Sequence, residues 1–169
     1  MEGGHQAVRV QALGVGHAAE GAGARELRRR AALAPDAQLS GPGKGRPRDK
    51  VFFDPRTVRC GIVTCGGLCP GLNDIIRGLV NRCHLQYGVS RTYGFRYGYE
   101  GLVQRYGHTP LLLRPSSVEQ AHHFGGTMLG SSRGQQDIGE MVDTLEDMKV
   151  DILFVIGGDG TLRGAAEIV

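Results

Sequence analysis

Ile152-Leu153-Phe154-Val155-Ile156-Gly157-Gly158-Asp159-Gly160-Thr161 is the stretch that decides the fold. A run of large apolar residues from Ile152 to Ile156 suits a strand buried on both faces, as in a parallel sheet. The run stops at Gly157-Gly158-Asp159-Gly160, and Thr161-Leu162-Arg163-Gly164-Ala165-Ala166 then has the composition to open a helix. Glycines let backbone N–H groups approach an anion closely, and the positive end of the helix faces the same anion. One carboxylate in such a turn is a natural partner for the magnesium that travels with a nucleoside triphosphate. The same residues also read as an ordinary strand-to-helix turn with Asp159 as its N-cap.

A second turn of this kind lies upstream. Arg59-Cys60-Gly61-Ile62-Val63-Thr64-Cys65 reads as a strand over 59–65, followed by Gly66-Gly67-Leu68-Cys69-Pro70-Gly71-Leu72-Asn73-Asp74. Ile75, Ile76, Leu79, Val80 and Cys83 then form one apolar stripe, which predicts a helix over 73–86. Asn73 is the expected N-cap, and Asp74 complements the helix dipole. The loop has neither P-loop spacing nor the Gly-x-Gly-x-x-Gly dinucleotide pattern, and Pro70 removes one donor from it. It is a distinct anion loop.

Between these units the sequence predicts a strand near Thr92–Phe95, a helical stretch around Tyr97–Arg105, an extended piece at Leu111–Leu113 and a helix near Ser117–His123. His122 and His123 fall on the surface of that last helix. Ile138, Met141, Val142, Leu145 and Met148 make a further amphipathic helix before the strand at 152–156. Alternating β and α segments give an α/β fold, a Rossmann-like three-layer sandwich on a mainly parallel sheet. The sheet is expected to be incomplete at the C-terminus, because the sequence stops inside the helix opened at Thr161. Both glycine loops follow strand C-terminal ends, where such sheets bind ligands.

The 169 residues suit one domain, and the net charge of +3 is unevenly spread. Residues 1–50 hold 9 Lys/Arg against 5 Asp/Glu, whereas residues 51–169 hold 11 against 12. The basic balance thus belongs to an Ala/Gly/Arg-rich tail over 1–50, expected to be mostly disordered with a short helix near Arg25–Ala34. Arg28-Arg29-Arg30 reads as a solvated run, so no nucleic-acid partner is expected. Five acids and a single serine, Ser40, argue against a plastid or other transit peptide. No stretch approaches the roughly 18 apolar residues of a membrane span. Four unpaired cysteines suit a reducing cytoplasm. Cys65, Cys69 and Cys83-His84 superficially resemble zinc spacing, but a strand end, a loop and a helix stripe do not converge on one ion. Cys65 and Cys69 beside the loop would be oxidation-sensitive if exposed.

Four motifs, in order, resemble the 6-phosphofructokinase family from about Val51 onward. They are Gly66-Gly67-x-x-Pro70-Gly71-x-Asn73, Tyr93-Gly94-Phe95-Arg96-x-Gly98-Tyr99-Glu100-Gly101, Gly125-Gly126-Thr127-x-Leu129-Gly130-Ser131-Ser132-Arg133 and Gly157-Gly158-Asp159-Gly160-Thr161. The form of Thr64–Asp74 looks like the ATP-dependent branch found in plants and some microbes. The resemblance implies Gly67 against the nucleotide phosphates and Arg133, with Gly134 beside it, at the donor nucleotide. It also implies Asp159 as the magnesium ligand, with Gly158, Gly160 and Thr161 as backbone contacts. A turn glycine, a solvated loop cation and a cap are the plainer readings of Gly67, Arg133 and Asp159. Gly160 stands where diphosphate-dependent members carry a second aspartate, so ATP is the implied donor.

The implied acceptor is fructose 6-phosphate, the implied product fructose 1,6-bisphosphate in glycolysis, and the implied full-length form a cytoplasmic homo-oligomer. Nothing in the sequence matches the family's later Thr-Ile-Asp-x-Asp segment, which carries the general base. Residues 51–169 therefore read as the truncated nucleotide-binding part of such an enzyme, with Arg133 alone in a catalytic role and the activity of the 169-residue chain in doubt. The alternatives are a non-catalytic nucleotide-binding or regulatory fragment, a diphosphate-dependent phosphofructokinase, or another kinase with a Gly-Gly-Asp-Gly-Thr turn. NAD kinases and diacylglycerol kinases have that turn but lack the upstream Gly-Gly-x-x-Pro-Gly-x-Asn loop and the Gly-Ser-Ser-Arg turn.

Overall fold

The two apolar runs that flank the glycine turns form the middle of one sheet. The computed structural model describes residues 9–14 and 53–169. Its strands are β1 (Arg9–Gly14), β2 (Arg59–Thr64), β3 (Arg91–Phe95), β4 (Leu111–Leu113) and β5 (Ile152–Gly157). They lie in the order β1-β5-β2-β3-β4, with β4 antiparallel and every other pairing parallel. Cys60 pairs with Ile152 and Thr64 with Ile156, so β2 and β5 end side by side. Their starts are tied as well. The Arg59 backbone N–H donates to Asp151 Oδ2 at 2.8 Å, and the Arg59 guanidinium donates to Met148 O at 2.8 Å.

The helices are α1 (Leu72–Asn81, continued by a π turn over Arg82–Gln86), α2 (Ile138–Asp147) and α3 (Asp159–Ile168). Period-two alternation in the strands divides the core between two faces. Ile62 and Ile156 pack with Leu72, Ile76 and Val80 of α1, together with Leu113, Val118 and Leu129. Val63, Leu153 and Val155 pack with Met141 and Leu145 of α2 and Ala165 and Ile168 of α3, together with Phe95 and Tyr99. Helix, sheet and helix make the three expected layers. Most of these apolar residues are fully buried, each such side chain contributing about 1.5–3 kcal/mol.

Three expectations need correction. Arg9–Gly14 forms a strand within the tail expected to be disordered, paired from Arg9 with Ile152 to Gly14 with Gly157. An average over fifty residues conceals the short apolar set Val10, Ala12, Leu13, and the edge of β5 offers it a ladder of unpaired backbone groups. The rest of the tail, with the Arg28–Arg30 run and the helix expected near Arg25–Ala34, lies outside the described residues. Second, Ser117–His123 is not one helix but two short 3-10 turns, Pro115–Ser117 and Ala121–His123. His122 and His123 are exposed on the second, their rings 3.9 Å apart. Tyr97–Arg105 is likewise 3-10 structure, over Gly98–Leu102 and Gln104–Tyr106. Third, α1 starts at Leu72 with Gly71 as its N-cap at φ 89°, so Asn73 is not the cap. Gly71 takes a left-handed turn that other residues adopt only with strain.

Candidate functional site

Three chain segments meet where β2 and β5 end. Cys65 N–H donates to Ile156 O at 2.9 Å, carrying the sheet pairing into the first loop. Gly66 N–H donates to Ser132 O at 3.1 Å, and Ser131 Oγ donates back to Gly66 O at 2.7 Å. These two bonds fasten the loop after β2 to the loop carrying Arg133. A Cβ built on Gly67 would lie 3.8 Å from an Arg133 guanidinium nitrogen, so Gly67 and Arg133 are neighbours. The third segment is the turn into α3. A Cβ on Gly157 would lie 2.7 Å from Cys65 O, and one on Gly66 would lie 3.5 Å from Thr161 Oγ1. Only glycine allows β5 to turn this close to β2.

Gly67, Arg133, Gly134, Gly158, Asp159 and Gly160 are all exposed. A Cβ at Gly134, Gly158 or Gly160 would meet nothing within 4 Å, which leaves open space above the turn. Thr161 differs: it is 7% exposed, with its carbonyl accepting from the Tyr99 hydroxyl. Its side chain belongs to the fold, and its backbone N–H is what remains for a ligand. Neither the Arg133 guanidinium nor the Asp159 carboxylate forms a hydrogen bond or ion pair with another described residue.

Helix capping separates these loops from the rest of the molecule. At α2, Asp137 caps in the usual way, its Oδ1 accepting from Glu140 N–H at 3.0 Å. At α1 and α3 the N-caps are Gly71 and Gly158, with no side chain bonded to the helix. Asp159 is thus the first helical residue rather than the cap. The first N–H groups of both helices are left for another acceptor, and the helix dipole favours an anion there.

Several residues hold the site together through partners far away in the sequence, which local patterns do not reveal. Asn73, 4% exposed, donates through Nδ2 to Phe124 O at 2.9 Å and accepts from Met128 N–H at 2.7 Å, which fixes the Gly125–Thr127 segment against α1. Thr64, at the end of β2, donates to Gly130 O at 2.8 Å and lies 2.9 Å from Thr127 Oγ1. Cys65 is buried rather than exposed, and burial pushes its thiol up to about 12 against the opposing pull of the Tyr99 backbone, so it stays a protonated thiol. Cys69 is half-buried. Cys60 and Cys83 share a separate cluster, where the contact with Cys83, added to burial, drives the Cys60 thiol upward. Among the described residues no three His, Cys, Asp or Glu side chains gather as a metal cluster.

A loop backbone, two uncapped helix starts, and an arginine and a carboxylate without partners among the described residues form a surface suited to a polyphosphate and its cation. The sequence matches the phosphofructokinase family over residues 59–169. It is 55% identical over 122 residues to an ATP-dependent 6-phosphofructokinase of Trypanosoma cruzi, covering 72% of this chain and 25% of that protein. An enzyme of the same name from Amycolatopsis methanolica is 55% identical over 119 residues, covering 70% and 26% respectively. The fold matches Pichia pastoris phosphofructokinase in the T-state with a TM-score of 0.59 and 27% identity, over 75% of this chain and 15% of that one. The chain thus spans about a quarter of the length of these curated relatives. With the family match running from the start of β2 through α3, the chain belongs to the phosphofructokinase family.

Proposed function

We propose that this chain supplies the magnesium–ATP side of an ATP-dependent 6-phosphofructokinase, whose full-length form phosphorylates the 1-hydroxyl of fructose 6-phosphate. The observation that carries this reading is the meeting of the Gly67–Arg133 loops with the uncapped start of α3, where Asp159 has no partner among the described residues. The residues fit the group. The space over Gly158 and Gly160 admits phosphate oxygens, and the free N–H groups of the turn can donate to them. Asp159 would hold magnesium as one carboxylate among phosphate and water oxygens, and bound magnesium neutralises charge on the transferring phosphate. Arg133 would take two phosphate oxygens through its guanidinium and oppose charge that develops in the transition state.

ATP is the proposed donor because Gly160 adds no carboxylate to the turn. A cytoplasmic setting and a homo-oligomeric full-length enzyme complete the proposal. No helix among the described residues is long and apolar enough to cross a membrane.

Calorimetric titration of the chain with Mg·ATP tests the donor side directly. Wild type should bind, and Asp159→Asn should weaken binding about tenfold or more while shifting thermal unfolding little. An exposed helix-start carboxylate contributes only about 0.3–1 kcal/mol to stability. Equal Mg·ATP affinity in wild type and Asp159→Asn would remove Asp159 from the site. No binding by wild type would remove the site itself.

A further inference from the structure

We propose that Tyr99 is a positioning residue of the nucleotide site, its buried hydroxyl holding the first turn of α3 in register with the Arg133 loop. This rests on the magnesium–ATP reading of the same loops. Tyr99 lies in the 3-10 turn Gly98–Leu102 and is 6% exposed. Its hydroxyl donates to Thr161 O at 2.6 Å, across 62 residues of sequence. The ring reaches that carbonyl because Gly164, three residues further along α3, has no side chain. A Cβ there would lie 2.9 Å from the ring edge. Tyr99 therefore grips α3 by hydrogen bond at Thr161 and by packing at Gly164.

The residues beside Tyr99 hold the other two segments. Gly98, at φ 61°, is pressed between them: a Cβ there would lie 3.1 Å from Ser132 N and 3.2 Å from Cys65 Sγ. Tyr97 N–H donates to Leu129 O at 2.8 Å, and a Cβ on Gly130 would lie 2.9 Å from the Tyr97 ring. The tripeptide Tyr97-Gly98-Tyr99 thus touches the end of β2, the approach to Arg133 and the start of α3. Each of these segments carries groups assigned to the nucleotide, and the tripeptide is the common wedge between them. Burial, reinforced by Cys65 and Glu167, pushes the Tyr99 phenol upward, so it remains a donor across the physiological range. Being buried and already bonded to Thr161, the hydroxyl acts on a ligand only through the turn it holds.

Tyr99→Phe removes the donor and keeps the ring. Two readouts on the 169-residue chain decide the case: Mg·ATP affinity by calorimetry, and amide hydrogen exchange over residues 159–163 without ligand. Val80→Ala serves as the control, since Val80 is fully buried in the core cluster on the opposite face of the sheet from Tyr99. Tyr99→Phe should weaken Mg·ATP binding roughly three- to tenfold, the size of one lost buried hydrogen bond. It should also speed exchange selectively at 159–163. Val80→Ala should lower the unfolding temperature but leave affinity and that local exchange as in wild type. Wild-type affinity in Tyr99→Phe overturns the proposal, and so does an equal loss in both variants, which would mean general destabilisation. If wild type binds no Mg·ATP, the donor-site reading falls and takes the nucleotide role of Tyr99 with it. Exchange at 159–163 then decides separately whether Tyr99 fastens the turn.

Discussion

The two strand–glycine–helix units of this chain, β2 to α1 and β5 to α3, look alike in sequence and are built by opposite means. After β5, glycine makes the turn within two residues. Gly157 is buried with Cys65 O where its side chain would be, and α3 begins at Asp159. After β2 the path runs from Cys65 to Gly71 before α1 starts, too long to be fixed by its own geometry. Other segments fix it, through Ser131 and Ser132 on Gly66 and through Asn73 on Phe124 and Met128. The short turn is set by steric closeness and the long one by hydrogen bonds to distant chain. The long loop thus depends on its supports, whereas in the short turn Gly157 has no room for a side chain.

Gly157→Ala attacks the short turn and should have the largest effect. The added methyl would meet a backbone carbonyl, which cannot rotate away as a side chain can. A loss of about 3 kcal/mol is expected, at the top of the usual range for overpacking, read from the midpoint of denaturant unfolding. A variant as stable as wild type would show that the turn is not sterically closed. Asn73→Ala attacks the long loop and should cost about 2 kcal/mol, because it leaves Met128 N–H and Phe124 O without their partner. Asn73→Asp keeps the acceptor for Met128 N–H but sets a buried carboxylate oxygen against Phe124 O, so it should cost at least as much as Asn73→Ala. If Asn73→Ala costs nothing, the long loop is held by its own backbone and the contrast between the units disappears.

The difference also explains what the sequence made legible. The short turn could be read almost entirely, because an apolar run ending in Gly-Gly-Asp-Gly has few other structures open to it, and β5 and α3 fall within a residue or two of expectation. Asn73 was legible as a polar residue at a helix start, but its partners are 51 and 55 residues away. Local rules therefore make it a cap. Tyr99 was hidden for the same reason. It reads as one aromatic in a glycine-rich motif until Gly164 is found against its ring. The strand at Arg9–Gly14 was invisible because its reason for forming is the edge of β5, not its own composition.

Gly160 tests the comparison most finely, because it belongs to the short turn but has open space around it. A Cβ there meets nothing, and the residue is helical, so Gly160→Ala should raise stability by about 0.5 kcal/mol through the ordinary helix preference of alanine. Glycine at such a position costs stability, and it needs a reason outside the fold. If the reason is room for a nucleotide, Gly160→Ala should weaken Mg·ATP binding even as the unfolding temperature rises. Gly160→Asp should go further. Its carboxylate would oppose the α-phosphate of ATP while leaving diphosphate unhindered, so the preference for Mg·ATP over magnesium diphosphate should narrow or invert. Titration of wild type and both variants with the two ligands measures this. A wild type that already prefers diphosphate, or a Gly160→Ala variant with unchanged ATP affinity, would mean that the open space over this turn is not where the nucleotide lies.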